Sequence, residues 1–446
     1  MQALASTNSP GQYEIGAVIV LAERYRTGAR WAGPDLAGLR RRGLGEGRTL
    51  PRTQGPSEYG RIEAMSLNSG SIRVGVIGGG QLARMMVPPA IHLGLRISVL
   101  AENEGSSAER AADMVGDYRD AETVYAFAET VDVITFDHEH VPQEILYGLE
   151  ERGVAVHPRP DSLQYAQDKI VMRTKLAELG VPIPNWAAVA DESELQQFID
   201  ANGGRAVVKT ARGGYDGKGV RVVSSASEVA DWFTALAEDA RGGHLLVEEL
   251  VDFTRELSQL VARRPSGETR TWPVVETIQL DGVCAEVLAP APVQNAETLD
   301  EAARIGALVA EGVAVTGVLA VEMFETRDGR VLVNELAMRP HNSGHFSIEG
   351  SVTSQFEQHL RAVTDLPLGD TSMTAPAAVM VNVLGGPAEG PMPVRYASVL
   401  AAHPRAKVHS YDKMPRPGRK VGHITVTGDN LEEVLAEARA AAAAFG

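Results

Sequence analysis

The chain has 446 residues, of which 44% are apolar and 22% charged, and its formal net charge is -16. This length predicts about two to four domains, and this composition is typical of globular proteins. The strong negative charge argues against partners such as nucleic acids and anionic membranes, which repel an acidic surface. The single cysteine, Cys284, excludes an internal disulfide framework and favours a cytoplasmic location. The longest early apolar run, residues 15–22, is too short to span a bilayer.

The first 69 residues differ in composition from the rest of the chain. They contain nine arginines and no lysine, and their glycine- and proline-rich stretches at 43–48 and 51–56 show no hydrophobic periodicity. Such a composition is typical of a disordered arm. Met65 precedes the first predicted strand, so we interpret residues 1–69 as a dispensable extension, consistent with an upstream mis-start.

From residue 72 onward, strand and helix patterns alternate. Apolar strands at 73–78, 95–100 and 131–136, with helices between them, predict a parallel α/β domain. The first turn, Gly78-Gly-Gly-Gln-Leu-Ala83, fits the G-x-G-x-x-A pattern, and Glu102 follows at the distance of a ribose-binding acid. The pattern leaves three interpretations open: a dinucleotide site, a site for another phosphate, or a structural turn that needs glycine.

The remaining patterns predict mixed α+β structure. A helix predicted from Lys169 to Leu179 ends before the proline-rich residues 181–184, and a glycine-rich hairpin follows at 203–223. An alanine-rich helix is predicted to start near Asn430. The predicted organisation is an extension at 1–69, a Rossmann-like domain at 70–165, a small domain at 166–252 and a large domain at 253–446 that includes a terminal subdomain at 376–446.

The stretch 318–335 is the most informative part of the chain. Asp328-Gly329 predicts a two-residue hairpin turn between β-rich flanks. That turn places Glu322 opposite Glu335, with Cβ atoms about 5 Å apart, where two like charges are unfavourable unless a cation lies between them. Because carboxylates and phosphates are the usual ligands of Mg²⁺, the pair predicts a magnesium site, to which Asn334 adds an oxygen ligand. The alternative is a solvated hairpin with two unrelated acids.

A short strand that ends in Lys209 precedes the segment Gly213–Gly219, which we call the glycine flap. Its four glycines predict a mobile loop whose N–H groups can close over phosphates, although a flexible surface turn has the same composition. The chain has only seven lysines, so a lysine at this position favours a site that needs a compact charge. Downstream, the strand at 245–251 is predicted to pass an adenine edge, with its backbone and Glu248 accepting from the amino group and Glu256 reaching a ribose hydroxyl. The alternative is that these acids are ordinary strand-end residues.

Together these motifs resemble the ATP-grasp superfamily and, within it, the N5-carboxyaminoimidazole ribonucleotide synthetase family of purine biosynthesis. The resemblance covers about residues 71–446 and is carried by the motifs Gly78–Met85, Thr135–Val141, Gly213–Gly219, Arg339–His345 and Tyr411–His423. It implies an ATP-grasp fold with an N-terminal Rossmann-like domain. It also implies carboxylation of 5-aminoimidazole ribonucleotide with ATP and bicarbonate, through carboxyphosphate, giving ADP and phosphate. Mg²⁺ as cofactor and a homodimer are further implications.

The resemblance assigns roles to matching positions. It implies contacts to ATP from Lys169, Lys209, Gly214, Tyr215, Asp216, Gly217, Lys218, Gly219, Val220, Glu248, Glu249, Leu250, Val251, Glu256, Asn334 and Glu335. It implies magnesium ligands at Glu322 and Glu335. Contacts to the ribonucleotide and bicarbonate are implied for Gly80, Gln81, Leu82, Glu139, Tyr215, Asp216, Lys218, Arg339, His341, Asn342, Ser343, Lys413, Arg416, Arg419 and Lys420. The implied catalytic residues are Asp216, Arg339, His341 and Glu139.

The sequence departs from the family pattern at three positions. Met338 replaces a usual proline, which we expect to alter only the local backbone, and Asp137 stands where glutamate is common. Gln279 stands where the family often has a histidine near the nucleotide, so we leave Gln279 out of the predicted site. The pair His341/His345 and the run 137–140 have the composition of zinc sites, but neither predicted backbone brings its ligands to one face.

Three other functions stay open. Another ATP-grasp ligase, such as a formate-dependent glycinamide ribonucleotide transformylase or a biotin carboxylase subunit, would keep the ATP residues and change the acceptor. The motifs at 339–345 and 413–423 argue against that alternative. An NAD-dependent oxidoreductase would use the turn at Gly78 and leave Glu322, Glu335 and Lys209 unexplained. A non-catalytic nucleotide-binding module would not need all of these acids.

Overall fold

The computed structural model describes residues 71–214, 219–238, 243–387 and 390–446. The predicted extension at 1–69 and the flap residues Tyr215, Asp216, Gly217 and Lys218 lie outside the described residues. Within the described ranges, no helix combines the length and the apolar character that crossing a bilayer requires.

The first domain is built on a parallel sheet, as the alternating patterns predict. Its strands are β1 Arg73–Ile77, β2 Arg96–Ala101, β3 Ala112–Val115, β4 Val133–Phe136 and β5 Ala155–Val156. Its helices are α1 Gln81–His92, α2 Ala121–Ala128, α3 Gln143–Glu151 and α4 Pro160–Gln167. The strands are all parallel, in the order β3-β2-β1-β4-β5. All four residues of β4 are buried, which explains why this strand is a continuous apolar run.

A second, antiparallel sheet forms the small domain. The helix α5 Lys169–Glu178 leads into it and begins at Asp168, whose carboxylate accepts from the first N–H groups of the helix. The strands are β6 Trp186–Val189, β7 Ala206–Thr210, β8 Val220–Val223 and β9 Leu245–Glu249, in the order β6-β9-β7-β8, and the helices are α6 Glu192–Ala201 and α7 Ala230–Glu238. This sheet has its own apolar core. The predicted glycine-rich hairpin is confirmed as the pair β7–β8.

The third sheet is the largest and entirely antiparallel. Its strands are β10 Phe253–Arg263, β11 Thr269–Thr271, β12 Val275–Leu280, β13 Val283–Ala289, β14 Gly317–Thr326, β15 Val331–Ala337, β16 Ala377–Leu384, β17 Lys407–Ser410 and β18 Lys420–Gly428. Their order is β15-β14-β10-β12-β13-β16-β18-β17, and β11 pairs with β10. The helices of this part are α8 Ala296–Gly312, α9 Ser347–Gly350, α10 Gln355–Val363, α11 Tyr396–Ala402 and α12 Leu431–Ala443. The predicted alanine-rich helix is confirmed as α12, which Asn430 caps.

The hairpin between β14 and β15 closes with a different turn from the one predicted. Thr326 N donates to Arg330 O at 2.9 Å, so the loop contains three residues, 327–329, and the predicted two-residue turn is wrong. Gly329 has a φ of 83°, the left-handed conformation that a three-residue hairpin loop needs at its last position. An Asp-Gly pair suits both loops, so the local sequence does not distinguish them.

Despite this difference, Glu322 pairs with Glu335 as predicted. Next to the turn the ladder is shifted by one residue, and Met323 pairs with Val333. A β-bulge between these pairs leaves Asn334 as the extra residue and restores the predicted register beyond it. The extra residue in the turn and the extra residue in the bulge therefore compensate each other.

Two buried histidines join the parallel sheet to the large antiparallel sheet. His157 Nδ1 lies 2.8 Å from Thr316 Oγ1, and His359 Nε2 lies 2.7 Å from Thr135 Oγ1. His359 Nδ1 also accepts from Val318 N at 3.1 Å. Burial lowers the pKa of His157 to about 4 and that of His359 to about 3, so both rings are neutral at pH 7.

The depressed histidine pKa values predict a loss of stability on acidification. Below pH ~6.5 the unfolded chain binds protons at His157 and His359 that the folded chain does not bind, so the free energy of unfolding falls as the pH decreases. Each histidine contributes about 1.4 kcal/mol per pH unit until its folded pKa is reached. Urea unfolding between pH 7.5 and 5 should show a smaller slope for His359→Gln than for wild type. The exposed His92→Gln variant serves as the control, and an unchanged slope for His359→Gln would contradict the assignment.

Candidate active site

Lys209 connects the small sheet to the bulge of the large sheet. Its Nζ donates to Asn334 Oδ1 at 3.0 Å and lies 2.7 Å from Glu248 Oε2. Burial alone would raise the pKa of Glu248, but the charges of Arg173 and Lys209 outweigh burial and lower it. The Glu248 carboxylate is therefore ionised and engaged within the protein. Because this side chain already has two cationic partners, we expect the main chain of the strand to make the predicted contact with adenine.

The bulge explains how two consecutive residues serve one site. In a regular strand Asn334 and Glu335 would point to opposite faces. In the bulged strand Asn334 reaches Lys209, while Glu335 Oε1 lies 3.6 Å from Lys169 Nζ. Lys169 Nζ also donates to the carbonyl of Gly213, at the start of the glycine flap, at 3.3 Å. The structure thus brings both predicted lysines to the Asn-Glu pair.

Glu322, the other predicted magnesium ligand, is held by His341. His341 Nε2 lies 3.0 Å from Glu322 Oε1, and Nδ1 accepts from Ser343 N at 3.3 Å. Because Nδ1 is an acceptor, the ring proton is on Nε2 and faces the carboxylate. Burial would raise the pKa of Glu322, but the hydrogen bond from His341 and the charges of Arg339 and Lys420 lower it. Ser343 is completely buried and its hydroxyl lies 2.8 Å from Ser258 Oγ, so it orients His341 rather than offering its side chain to a substrate.

Arg339 and Glu139 form a second charged pair near this hairpin. Arg339 Nε donates to Glu139 Oε2 at 2.7 Å, and Met338 N donates to Glu139 Oε1 at 3.1 Å. Burial would raise the pKa of Glu139, but Arg339 outweighs it and lowers the pKa. Met338 therefore does more than alter the local backbone, because a proline at this position would have no N–H to donate. Glu139 has the geometry of a residue that orients Arg339.

The glycine turn after β1 is closed by carboxylates of the protein itself. Glu102 Oε2 accepts from Gly79 N at 3.0 Å, and hydrogen bonds lower its pKa to about 2 although burial opposes them. Asp137 Oδ1 accepts from Ala83 N, in the first turn of α1, at 2.8 Å. A Cβ at Gly80 would lie 2.0 Å from Asp137 Oδ2, so this close approach requires glycine. The glycines and Glu102 thus have structural roles that the dinucleotide interpretation does not require.

Lys413, in the C-terminal part of the chain, contacts the residue that follows this glycine turn. Its Nζ donates to Gln81 Oε1 at 2.5 Å, across 332 residues of sequence. Both residues belong to the predicted ribonucleotide contacts, and the structure places them together. Leu82 is buried in the core, Arg416 is exposed, and Arg419 donates to the carbonyl of Met414 at 3.2 Å. These three side chains are therefore not part of the Lys413–Gln81 contact.

A cleft between the small sheet and the tip of the β14–β15 hairpin fits the predicted adenine position. It has a volume of about 370 Å³ and is lined by Glu249, Leu250, Val251, Asp252, Thr326, Arg327, Asp328, Arg330 and Leu332. The predicted ribose contact, Glu256, accepts from Gln279 Nε2 at 3.2 Å. Burial and the charge of Glu322 raise the pKa of Glu256 to about 7. Gln279, left out of the predicted site, therefore has a direct contact with one of its members.

Arg173 is the residue that the sequence analysis missed. Its guanidinium is completely buried and donates to Glu248, to Val333 O and to Asn334 O. Arg173 follows Lys169 by four residues on a predicted helix, a spacing that places both on one face. That spacing is the feature of the sequence that could have identified it.

Three family models match consecutive parts of the chain. A ribonucleotide synthetase preATP-grasp domain matches residues 72–167, and an ATP-grasp domain matches residues 174–356. A phosphoribosylaminoimidazole carboxylase C-terminal domain matches residues 378–437. These matches agree with the Rossmann-like domain and the ATP-grasp fold inferred from the sequence.

Several curated relatives and solved structures are named N5-carboxyaminoimidazole ribonucleotide synthase or synthetase. The N5-carboxyaminoimidazole ribonucleotide synthase of Mycobacterium tuberculosis is 47% identical over 373 residues, covering 83% of this chain and 86% of the relative. That of Corynebacterium ammoniagenes is 48% identical over 380 residues, covering 83% and 91%. The synthetase structure from Thermus thermophilus has a TM-score of 0.73 at 37% identity and covers 82% of this chain and 97% of its own.

A fungal structure in this group contains two ligands. The N5-carboxyaminoimidazole synthase of Aspergillus clavatus, in complex with ADP and 5-aminoimidazole ribonucleotide, has a TM-score of 0.75 at 31% identity. It covers 84% of this chain and 99% of its own. With close to half of the aligned residues identical to curated relatives over most of both chains, the chain belongs to the N5-carboxyaminoimidazole ribonucleotide synthase family of ATP-grasp enzymes.

Proposed function

We propose that the chain carboxylates 5-aminoimidazole ribonucleotide on its exocyclic amine, consuming ATP and bicarbonate and giving N5-carboxyaminoimidazole ribonucleotide, ADP and phosphate. The names of the relatives and the ligands of the Aspergillus structure support this reaction. The observation in the chain itself that carries the proposal is the bulged hairpin. It presents Glu322, Asn334 and Glu335 beside Lys209, Lys169 and His341.

ATP would lie between the small and large sheets. The main chain of Glu249–Val251 lines the cleft proposed for adenine, and Glu256 is proposed to reach a ribose hydroxyl. Lys209 and Lys169 would neutralise phosphate oxygens, and the glycine flap would close over them and exclude water. The proposed domain limits are 70–165, 166–252 and 253–446, with a terminal subdomain at 376–446. A homodimer and a cytoplasmic location are further parts of the proposal, supported by the resemblance to the family.

The proposed magnesium site would be formed by Glu322 and Glu335. Within the described ranges, no group of three or more His, Cys, Asp or Glu side chains is placed to hold a metal ion. Two carboxylates fit a Mg²⁺ ion whose other ligands are phosphate oxygens and water, which is the usual arrangement with nucleotides. Bound there, Mg²⁺ would neutralise charge on the transferring phosphoryl group.

The proposed chemistry has two stages. A bicarbonate oxygen attacks the γ-phosphorus of ATP, which releases ADP and forms carboxyphosphate. Carboxyphosphate then breaks into phosphate and CO₂, and the exocyclic amine forms its new C–N bond to CO₂ as it loses a proton. Arg339, fixed by Glu139, is proposed to hold bicarbonate and the developing carboxylate with its terminal N–H groups. Asp216 is then the stronger of the two candidates for receiving the proton, because Glu139 is already paired.

The ribonucleotide would bind between the first and third sheets. Lys413 and Gln81, which contact each other, are proposed to bind the 5′-phosphate, with Lys420, Arg416 and Arg419 adding positive charge. The charges of Arg339 and Lys420 help to lower the pKa of Glu322, and burial raises the pKa of Asp137 against the opposing charges of Arg339 and Lys413. The phosphate-binding residues and the carboxylation residues therefore share one electrostatic region.

The acceptor is tested by ADP release in bicarbonate and Mg²⁺, with and without 5-aminoimidazole ribonucleotide. We expect ADP release to depend on the ribonucleotide, because its amine captures the CO₂ and so completes each turnover. Glycinamide ribonucleotide with formate serves as the control acceptor for the alternative ligase. ADP release at the same rate without any ribonucleotide would refute the acceptor assignment.

Replacing Glu335 with Gln tests the metal role. The side chain is 42% exposed and its ion pair with Lys169 is long at 3.6 Å, so the variant should fold normally. We expect turnover of Mg·ATP to fall by about 100-fold or more, because an amide oxygen carries no charge for the ion. Glu286→Gln, which removes a paired glutamate elsewhere in the same sheet, is the matched control and should keep its turnover. Unchanged turnover in Glu335→Gln would exclude the magnesium assignment.

Replacing Glu139 with Gln separates orientation from base catalysis. Because Arg339 holds the pKa of Glu139 low, we expect the acidic limb of the kcat/KM pH profile to keep its position in Glu139→Gln. The rate should fall by about tenfold, because Arg339 loses a charged partner. Met338→Pro removes the main-chain N–H to Glu139 and shortens a buried side chain, but it keeps the pair between Glu139 and Arg339, so it should give a smaller loss. Disappearance of the acidic limb in Glu139→Gln would identify Glu139 as the base instead.

A further inference from the structure

Arg173 is a buried arginine whose partners lie in the small sheet and the large sheet. It belongs to α5, while Glu248 belongs to β9, and Val333 and Asn334 belong to β15. We propose that Arg173 is a positioning residue for the nucleotide: it fixes the bulge at Asn334 and, through Glu248, the direction of Lys209. The inference rests on the proposed use of ATP and adds a residue that binds no substrate itself.

The first step is the contact between Arg173 and the bulge. Its Nη1 donates to Val333 O at 3.0 Å and its Nη2 donates to Asn334 O at 2.7 Å. In a regular strand, consecutive carbonyls point in opposite directions. One planar guanidinium can donate to both carbonyls only where the strand is distorted, as it is at this bulge. Arg173 therefore stabilises the backbone conformation that lets Asn334 and Glu335 serve the same site.

The second step is a closed ring of hydrogen bonds. Arg173 Nε donates to Glu248 Oε1 at 2.5 Å, and the other carboxylate oxygen lies 2.7 Å from Lys209 Nζ. Lys209 Nζ donates in turn to Asn334 Oδ1 at 3.0 Å, which returns the ring to the residue that Arg173 holds. An ammonium group has three N–H bonds. Two of them are used in the ring, which fixes the direction of the third, the one we assign to the proposed phosphates.

The third step is that stability alone does not require this arrangement. Burying paired charges costs desolvation energy, and well-packed apolar residues are often as stable. Without Arg173, Glu248 would have Lys209 as its remaining cation and would draw Nζ away from Asn334. The expected defect is therefore in nucleotide binding, beyond any loss of fold stability.

Arg255 provides a matched control within the same chain. It is also buried, at 6% exposure, and pairs with two carboxylates, Glu325 and Glu276, and with the carbonyl of Pro292. None of these partners belongs to the proposed nucleotide site. Replacing either arginine with lysine keeps the charge and removes the planar fork, so both variants should lose similar thermal stability.

The experiment compares Arg173→Lys with Arg255→Lys in the full chain. For each we would measure the Tm, the Kd for ADP by calorimetry, and KM for ATP and for 5-aminoimidazole ribonucleotide. We expect Arg173→Lys to raise the ADP Kd and the KM for ATP at least tenfold and to change the KM for the ribonucleotide less than twofold. Arg255→Lys should lower the Tm comparably and leave all three constants within twofold. Equal nucleotide constants in the two variants would overturn the proposal.

A second variant keeps the proposal testable if Arg173→Lys fails to fold. If Arg173→Lys does not fold, the double variant Arg173→Met/Glu248→Gln removes both buried charges and leaves no unpaired carboxylate. Its ADP Kd should exceed that of Glu248→Gln alone by at least tenfold, and equality of the two would also overturn the proposal. The calorimetric measurement needs no carboxylation, so it separates this inference from the proposed reaction. Wild type that binds ADP but shows no ribonucleotide-dependent turnover would count against the reaction alone.

Discussion

The β-bulge at Asn334 is the constraint on which the proposed site depends. In a regular ladder, consecutive side chains point to opposite faces of the sheet. Glu335 could then face Glu322, or Asn334 could face the small sheet, but both could not contribute to one site. The bulge allows both, because its extra residue shifts the alternation of side chains by one position. Asn334 then contacts Lys209, and Glu335 lies near Lys169. At the bulge, Arg173 donates to the main-chain carbonyls of Val333 and Asn334, so both are satisfied within the protein.

The four buried or half-buried glutamates of the site differ mainly in their nearest cation. Glu248, Glu139 and Glu322 each have an arginine, lysine or histidine within hydrogen-bond distance, and each has a lowered pKa despite burial. Glu256 has an amide, Gln279, as its partner and a like charge nearby, and its pKa rises to about 7. Among these four glutamates, the surrounding hydrogen bonds and positive charges, more than depth of burial, therefore set the direction of the pKa shift.

Parallel strands, the helix at Lys169 and the terminal alanine-rich helix were predictable because apolar periodicity and caps are local properties of the sequence. The Glu322–Glu335 pairing was also predicted, but the assumed turn was wrong and the unforeseen bulge corrected the register. An Asp-Gly pair suits both turns, and the bulge depends on Arg173, 160 residues away from Val333. The contact between Lys413 and Gln81 is likewise a tertiary one that no local pattern contains.

The glycine turn shows why a fingerprint can match without its usual ligand. The G-x-G-x-x-A pattern requires close backbone approach at a helix N-terminus, and any anion satisfies that requirement. Here two side chains of the protein accept from these N–H groups, Glu102 from Gly79 N and Asp137 from Ala83 N. Asp137 lies against Gly80, and burial raises its pKa while the charges of Arg339 and Lys413 oppose that rise. The turn therefore borders the region proposed for the ribonucleotide. Gly80, one of the glycines that suggested a dinucleotide, thus lies against a carboxylate of the protein, and the motif alone could not distinguish the two ligands.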